Sequence, residues 1–302
     1  MSVMYIKLKS VYLNDLNEVN VVIPDPPMRS DTNPFQYYES KKKYKVLWIL
    51  HGGRDTYRDW LIYSNVARLS IQHGMIIVMP NGHDSDFADH PEQGDGFLFE
   101  KYFFEELMPF IYNWLPASRK KEDNFLAGNS MGCAATWRYS ISHSEKFDCF
   151  VPMCNQPVDY EYLEEFRGMT TEEFRKYVKE NQGQIKGAYG DSGEKIHVKE
   201  INMMRKYDTM AQFLDSDENT MQAIKKKINS GDMPSYWIPY GTLKRDQQLV
   251  NFKEYCEKSN NTGKMHFEKY EGETHAFSFW ERALQDFLKY MRIEQAEYYV
   301  GR

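Results

Sequence analysis

The 302 residues carry 38 Lys+Arg against 44 Asp+Glu, a formal net charge of −6, so the chain as a whole offers no basic footprint for nucleic acid. Hydrophobic residues at 41% and aromatics at 15% exclude a disordered chain, and the length suits one large domain or two ordinary ones. Lys7, Lys9 and Asp15 interrupt the N-terminal stretch where a signal peptide needs an unbroken apolar run, and no membrane-spanning length of apolar residues occurs elsewhere. The chain is therefore expected to be cytoplasmic, with no membrane partner. Cys133, Cys149, Cys154 and Cys256 form no C-x-x-C pair and read as reduced, mostly buried thiols.

Residues 3–23 alternate apolar and polar on either side of Asn14-Asp15, which predicts a half-buried hairpin at an antiparallel edge. After a Pro-rich loop and the run Lys41-Lys42-Lys43, VLWIL at 46–50 is a short continuous apolar run, as a buried strand shows. A helix over 64–73 ends at Gly74, and MIIVMP at 75–80 is a second buried strand stopped by Pro80. Further on, an amphipathic stretch over 97–115, a strand at 125–128, a tight turn, a helix to about 143 and a strand over 147–154 continue the alternation. Each parallel strand pair needs a crossover, usually helical, so this order predicts an α/β fold with a mainly parallel sheet. Residues 155–232 read as a polar, helical insertion, with helices expected at 161–166, 171–180 and 221–228. The sheet resumes at 236–240 and 266–270, with helices over 247–258 and 279–292. Residues 1–302 are thus expected to form a single domain carrying an insertion at about 155–232.

The sharpest chemical signal is Gly128-Asn129-Ser130-Met131-Gly132, a G-x-S-x-G between a predicted strand and a predicted helix. A serine on so sharp a turn needs neighbours without side chains two positions away on each side, so that strand and helix pack closely while Oγ projects. The bland alternative is a glycine-rich turn with an incidental serine. A hydroxyl nucleophile needs a base, and His275 stands in a loop after the last strand and before the last helix, where the triad histidine of an α/β-hydrolase falls. An acid is expected between the two in sequence. Asp246, after the strand at 236–240 and a Gly-Thr turn, is the choice over Asp215, Asp217 and Asp232; its other reading is a helix N-cap. Backbone N–H groups of Met131 and of Gly53, in the His51-Gly52-Gly53-Arg54 loop after VLWIL, are the expected oxyanion donors. The histidine- and aspartate-rich stretch 83–90 matches no fixed metal spacing and reads as a solvated loop beside the pocket. No cofactor or metal is called for by this chemistry.

The segments YKVLWILHGG, Asp59-Trp60, IIVMPNG, EELMPFI, FLAGNSMG and THAFSFW resemble the esterase D-like serine hydrolases, a group of tributyrin, feruloyl and acetylxylan esterases and S-formylglutathione hydrolases. The resemblance implies the α/β-hydrolase fold, Ser130 as nucleophile, His275 as base, and Trp280 as the tryptophan that accompanies that histidine; Trp60 and Trp280 are taken as pocket residues. The family's acid usually follows a G-T-x-D pattern, whereas Lys244 stands here at the fourth place, so Asp246 requires a two-residue shift. Cys133 stands where the family often has glycine. The expectation is a serine carboxylesterase acting on a small-molecule ester with a short acyl group, or on feruloyl or acetyl-sugar esters. Acyl transfer by the same triad and a catalytically silent binding module are the alternatives.

Overall fold

The computed structural model describes residues 2–25, 33, 41–188, 195–242, 247–259 and 262–293. The alternating N-terminal segment forms β1 (Ser2–Ser10) and β2 (Asp15–Ile23), an antiparallel pair turned at Asn14, whose φ is 50°. β3 (Val46–Leu50), β4 (Ile76–Pro80), β5 (Asn124–Asn129), β6 (Cys149–Met153), β7 (Ser235–Gly241) and β8 (Met265–Tyr270) are parallel to one another. Together they make an eight-stranded sheet in the order β1-β2-β4-β3-β5-β6-β7-β8. The expected mainly parallel sheet with an antiparallel edge is therefore present.

The continuous apolar runs are explained by burial on both faces, since successive side chains of a strand point to opposite sides. Val46, Trp48 and Leu50 belong to the core on one face, while Leu47 and Ile49 belong to the core on the other. Helices supply the two covers. α1 (Asp59–Tyr63) and α2 (Val66–His73) lie on the second face, and α2 stops where Gly74 turns left-handed at φ 56°. The 97–115 stretch is one broken helical run: a π-turn over Tyr102–Leu107 leads into α3 (Met108–Trp114) on the first face. Periodicity alone did not announce that π-turn. α4 (Met131–Ser142) packs on the first face directly after Ser130.

Residues 155–232 divide in two. A 3₁₀ turn at Glu161–Phe166, α5 (Thr171–Glu180), α6 (Val198–Met203) and α7 (Met210–Asp215) surround a separate cluster that includes Leu163, Phe174, Met204 and Phe213. α8 (Thr220–Ser230) instead sends Met221, Ile224 and Ile228 into the sheet's own core, and so serves as the crossover into β7. α9 (Gln247–Glu257) joins that same face, and α10 (Phe277–Tyr290) closes the opposite one.

Candidate active site

In a parallel sheet every strand points the same way, so the turns after β3, β4, β5, β7 and β8 meet along one edge. Ser130 sits at that edge, between β5 and α4, with φ 54° and ψ −113°, a backbone conformation ordinarily taken by glycine at the first central position of a II′ turn. Its glycine neighbours are there for space. A Cβ on Gly128 would lie 2.1 Å from the Gly132 carbonyl oxygen, and one on Gly132 would lie 2.3 Å from the Leu50 carbonyl oxygen. The Ser130 N–H donates to Cys154 Sγ at 3.3 Å, and the Gly132 N–H donates to the His51 carbonyl at 3.0 Å. The turn is thereby tied to the ends of β6 and β3.

His51 organises the loop after β3. Its Nε2 accepts the Gly82 N–H at 2.9 Å, which leaves Nδ1 as the protonated nitrogen, donating to the Gly52 carbonyl at 2.7 Å. Burial pushes the imidazole below its ordinary range and so favours this neutral form. The Gly52 carbonyl also accepts the Asp55 N–H at 3.2 Å. Because the peptide is trans, holding that carbonyl on one side turns the Gly53 N–H to the other. Gly53 stands beside the turn: a Cβ there would lie 3.9 Å from Met131 Cβ and 3.4 Å from Asp84 Oδ1. Neither the Gly53 nor the Met131 N–H donates to an acceptor among the described residues. Two neighbouring backbone donors are thus available together.

The sequence gives no sign of several supporting residues. Asn129 is fully buried and accepts the Trp60 indole N–H at 3.0 Å, while its amide nitrogen faces Asp55, whose charged form it favours. A Cβ on Gly52 would lie 3.0 Å from that nitrogen, 2.8 Å from Asp55 Oδ2 and 3.2 Å from Ser130 Cβ, so a larger residue there would have to displace Asp55 and crowd Asn129 and Ser130. Burial raises the Asp55 carboxyl above its ordinary range, and nearby Asp59 adds to the rise. Cys133, one turn into α4, is fully buried, and burial holds its thiol protonated, so it does not compete with the hydroxyl as a nucleophile. Only the tight spacing His51-Gly52-Gly53 hinted at this packing.

His275 lies partly buried in the loop between β8 and α10, with the Trp280 ring edge-on at 5.0 Å and 82°. Trp60 and Trp280, expected at the substrate pocket, are 1% and 4% exposed and work from within the core. A chain of edge-to-face contacts runs from Trp60 to Phe277 (5.4 Å) and from Phe277 to Trp280 (5.0 Å), linking the Asn129 support to His275. The Gly272 N–H donates to Thr242 Oγ1 at 2.8 Å, which joins the loop after β8 to the loop after β7. Asp246, the expected acid, lies outside the described residues. Of the other acids considered, Asp215 pairs with Arg167 at 3.0 Å and Asp232 with Lys227 at 3.6 Å.

The loop after β4 borders Gly53. Arg138 and Tyr139 of α4 donate to the carbonyls of Asp86 and Phe87 at 2.7 and 2.5 Å, and His90 Nε2 donates to the Ser85 carbonyl at 2.8 Å. Lys199, on α6, reaches Asp84 at 2.6 Å and Asp86 at 3.7 Å, so the insertion touches the rim of the site.

A mainly parallel sheet with a serine on a strained strand-to-helix turn defines the α/β-hydrolase class. Residues 28–291 match the model of the Esterase family, described as "Putative esterase", and the chain belongs to that family. It is a carboxylic-ester hydrolase of the serine type. It is similar to an acetyl esterase of Caldicellulosiruptor saccharolyticus, at 22% identity over 96% of this chain and 98% of that one. Among solved structures, it is similar to the fluorophosphonate-binding serine hydrolase F of Staphylococcus aureus, with a TM-score of 0.68, 20% identity, and coverage of 96% of this chain and 98% of that one. A ferulic acid esterase gives a TM-score of 0.66 at 18% identity, covering 97% and 98%.

Proposed function

We propose that the chain hydrolyses esters through an acyl-enzyme, with Ser130 as nucleophile, His275 as general base and acid, Asp246 as the group that orients His275, and the N–H groups of Gly53 and Met131 as the oxyanion hole. Ser130 Oγ attacks the ester carbonyl while its proton passes to the His275 imidazole. The carbonyl oxygen takes up negative charge between the two N–H groups, the C–O bond to the alcohol breaks, and the imidazolium returns the proton to the departing alkoxide. Water then attacks the acyl-serine with the same imidazole as base, releasing the acid and restoring the hydroxyl. No cofactor enters this sequence.

The observation that carries the reading is the strained turn at Ser130 combined with two neighbouring, unengaged N–H donors. For the substrate we infer a short acyl group or a feruloyl or acetyl-sugar ester, supported by the names of the acetyl esterase and ferulic acid esterase relatives. The test is labelling with a fluorophosphonate probe followed by peptide mapping, together with turnover of p-nitrophenyl acetate, methyl ferulate and an acetylated sugar. Labelling at Ser130 is expected. Modification elsewhere, or none at all, defeats the assignment.

A further inference from the structure

Away from Ser130, the insertion carries an open cavity of about 660 Å³ between α5 and α6. Arg175 and Lys179 enter it from α5, one turn apart; Lys195 comes from the segment before α6, and Arg205 from the turn after it. Val178, Ile196 and Ile201 give the cavity an apolar floor. Among the described residues, no carboxylate lines it.

Several cations of the same region have partners: Lys199 pairs with Asp84, Lys206 with Glu218, and Arg167 with Glu164 and Asp215. The four cations of the cavity have no ion pair among the described residues. Glu172 and Asp208 border the adjoining groove, which Arg175 and Arg205 also line, yet neither comes within ion-pair distance of them. The Arg175 Nε is itself buried without an acceptor among the described residues, which is costly for a charged donor. Four like charges over an apolar floor repel one another more strongly than in open water. An anion in the cavity relieves both penalties, and the volume falls in the range of small-molecule sites.

We propose that this cavity is a binding site for a small multianionic ligand, a polyphosphate or polycarboxylate, held by Arg175 and Arg205 with Lys179 and Lys195 at its edge. The paired guanidiniums supply forked donors that suit either a phosphate or a carboxylate. Val198, Ile201, Asn202 and Arg205 share one face over α6 and its following turn, and Lys199 lies about a quarter turn round the same helix, where it holds Asp84. Occupancy of the cavity therefore bears on the helix that touches the rim of the ester site, while the site itself is separate from it and independent of the roles proposed for Ser130 and His275.

The test is titration calorimetry with pyrophosphate and with citrate as probes, at fixed ionic strength, on the full chain and on Arg175→Gln, Arg205→Gln and the double variant. Saturable binding of at least one probe is expected, weakened about tenfold by each single change. Tighter pyrophosphate identifies a phosphate ligand, and tighter citrate a carboxylate one. The absence of saturable binding of either probe up to about 10 mM, where even a weak millimolar site would fill, overturns the proposal. Unchanged affinity in a folded double variant overturns it equally. Thermal unfolding and p-nitrophenyl acetate turnover establish that each variant is folded, and Lys195→Gln provides a milder second reading if the double variant is not.

Discussion

The sheet with its covering helices and the insertion over residues 160–214 solve the same burial problem in different ways. In the sheet, five-residue runs such as VLWIL and IIVMP are buried whole, and each strand feeds two cores at once. In the insertion, short helices share a single cluster of aromatics and methionines, and polar devices at their ends hold them in place. Thr170 with Glu173 and Thr209 with Gln212 form capping boxes, and Arg167 ties the 3₁₀ turn to α7 through Asp215. The sheet fixes backbone positions to fractions of an ångström, as the glycines around Ser130 show. The insertion tolerates more, and it presents charged side chains to its surroundings.

The sharpest way to break this contrast is to remove one hydroxyl from the sheet's edge. Ser130→Ala is expected to lower turnover of p-nitrophenyl acetate by roughly 10⁴-fold or more with unfolding unchanged; residual activity within tenfold of wild type would mean that the chemistry lies elsewhere. Within the insertion, Phe174→Ala opens a fully buried aromatic site and is expected to cost about 3–5 kcal/mol, read as early proteolysis or hydrogen exchange confined to that region. Cooperative unfolding of the whole chain in that variant would erase the distinction between the two regions. A smaller pair of changes compares the backbones directly. Gly132→Ala, whose Cβ would strike the Leu50 carbonyl, is expected to lose about 2–3 kcal/mol in urea unfolding, whereas Gly168→Ala, with nothing within 4 Å, should move the midpoint by less than about 0.5 kcal/mol.

Two finer measurements follow. His51 is held neutral in the folded chain by burial, with its pKa below the unfolded value near 6.5. Its contribution to stability is therefore present above about pH 6.5 and lost as pH falls from there toward the depressed folded value, because the unfolded chain takes up the proton first. The drop in urea midpoint from pH 7.5 to 5.5 should be smaller in His51→Gln than in the wild type; equal drops would remove His51 from the account. Last, Lys199→Ala breaks an exposed pair and should change stability by no more than about 1 kcal/mol, with the difference fading at high salt.

The same contrast explains what could be read from the sequence. Strand runs such as VLWIL and IIVMP are legible because burial on both faces demands unbroken apolar residues, and α5 is legible because its cap and its apolar stripe agree. α6 and α7 escaped because six residues make less than two turns and leave too little periodicity to detect. α8 was assigned to the insertion, since nothing local distinguishes a helix that faces the sheet from one that faces a neighbouring cluster. At the candidate site, Ser130 and the two glycines of the loop after β3 could be singled out from their motifs, and His275 from its order and loop position along the chain. Asn129, Asp55 and Cys154 were not, for their positions follow from how distant segments meet. Trp60 and Trp280 drew attention as pocket residues; their rings are largely buried beside the candidate site.

The backbone at Ser130 carries one last consequence. At φ 54° and ψ −113°, glycine would rest there more comfortably than serine, by about 1–3 kcal/mol. Thermal robustness alone would favour glycine at this position, so the serine hydroxyl stands there at a cost in stability.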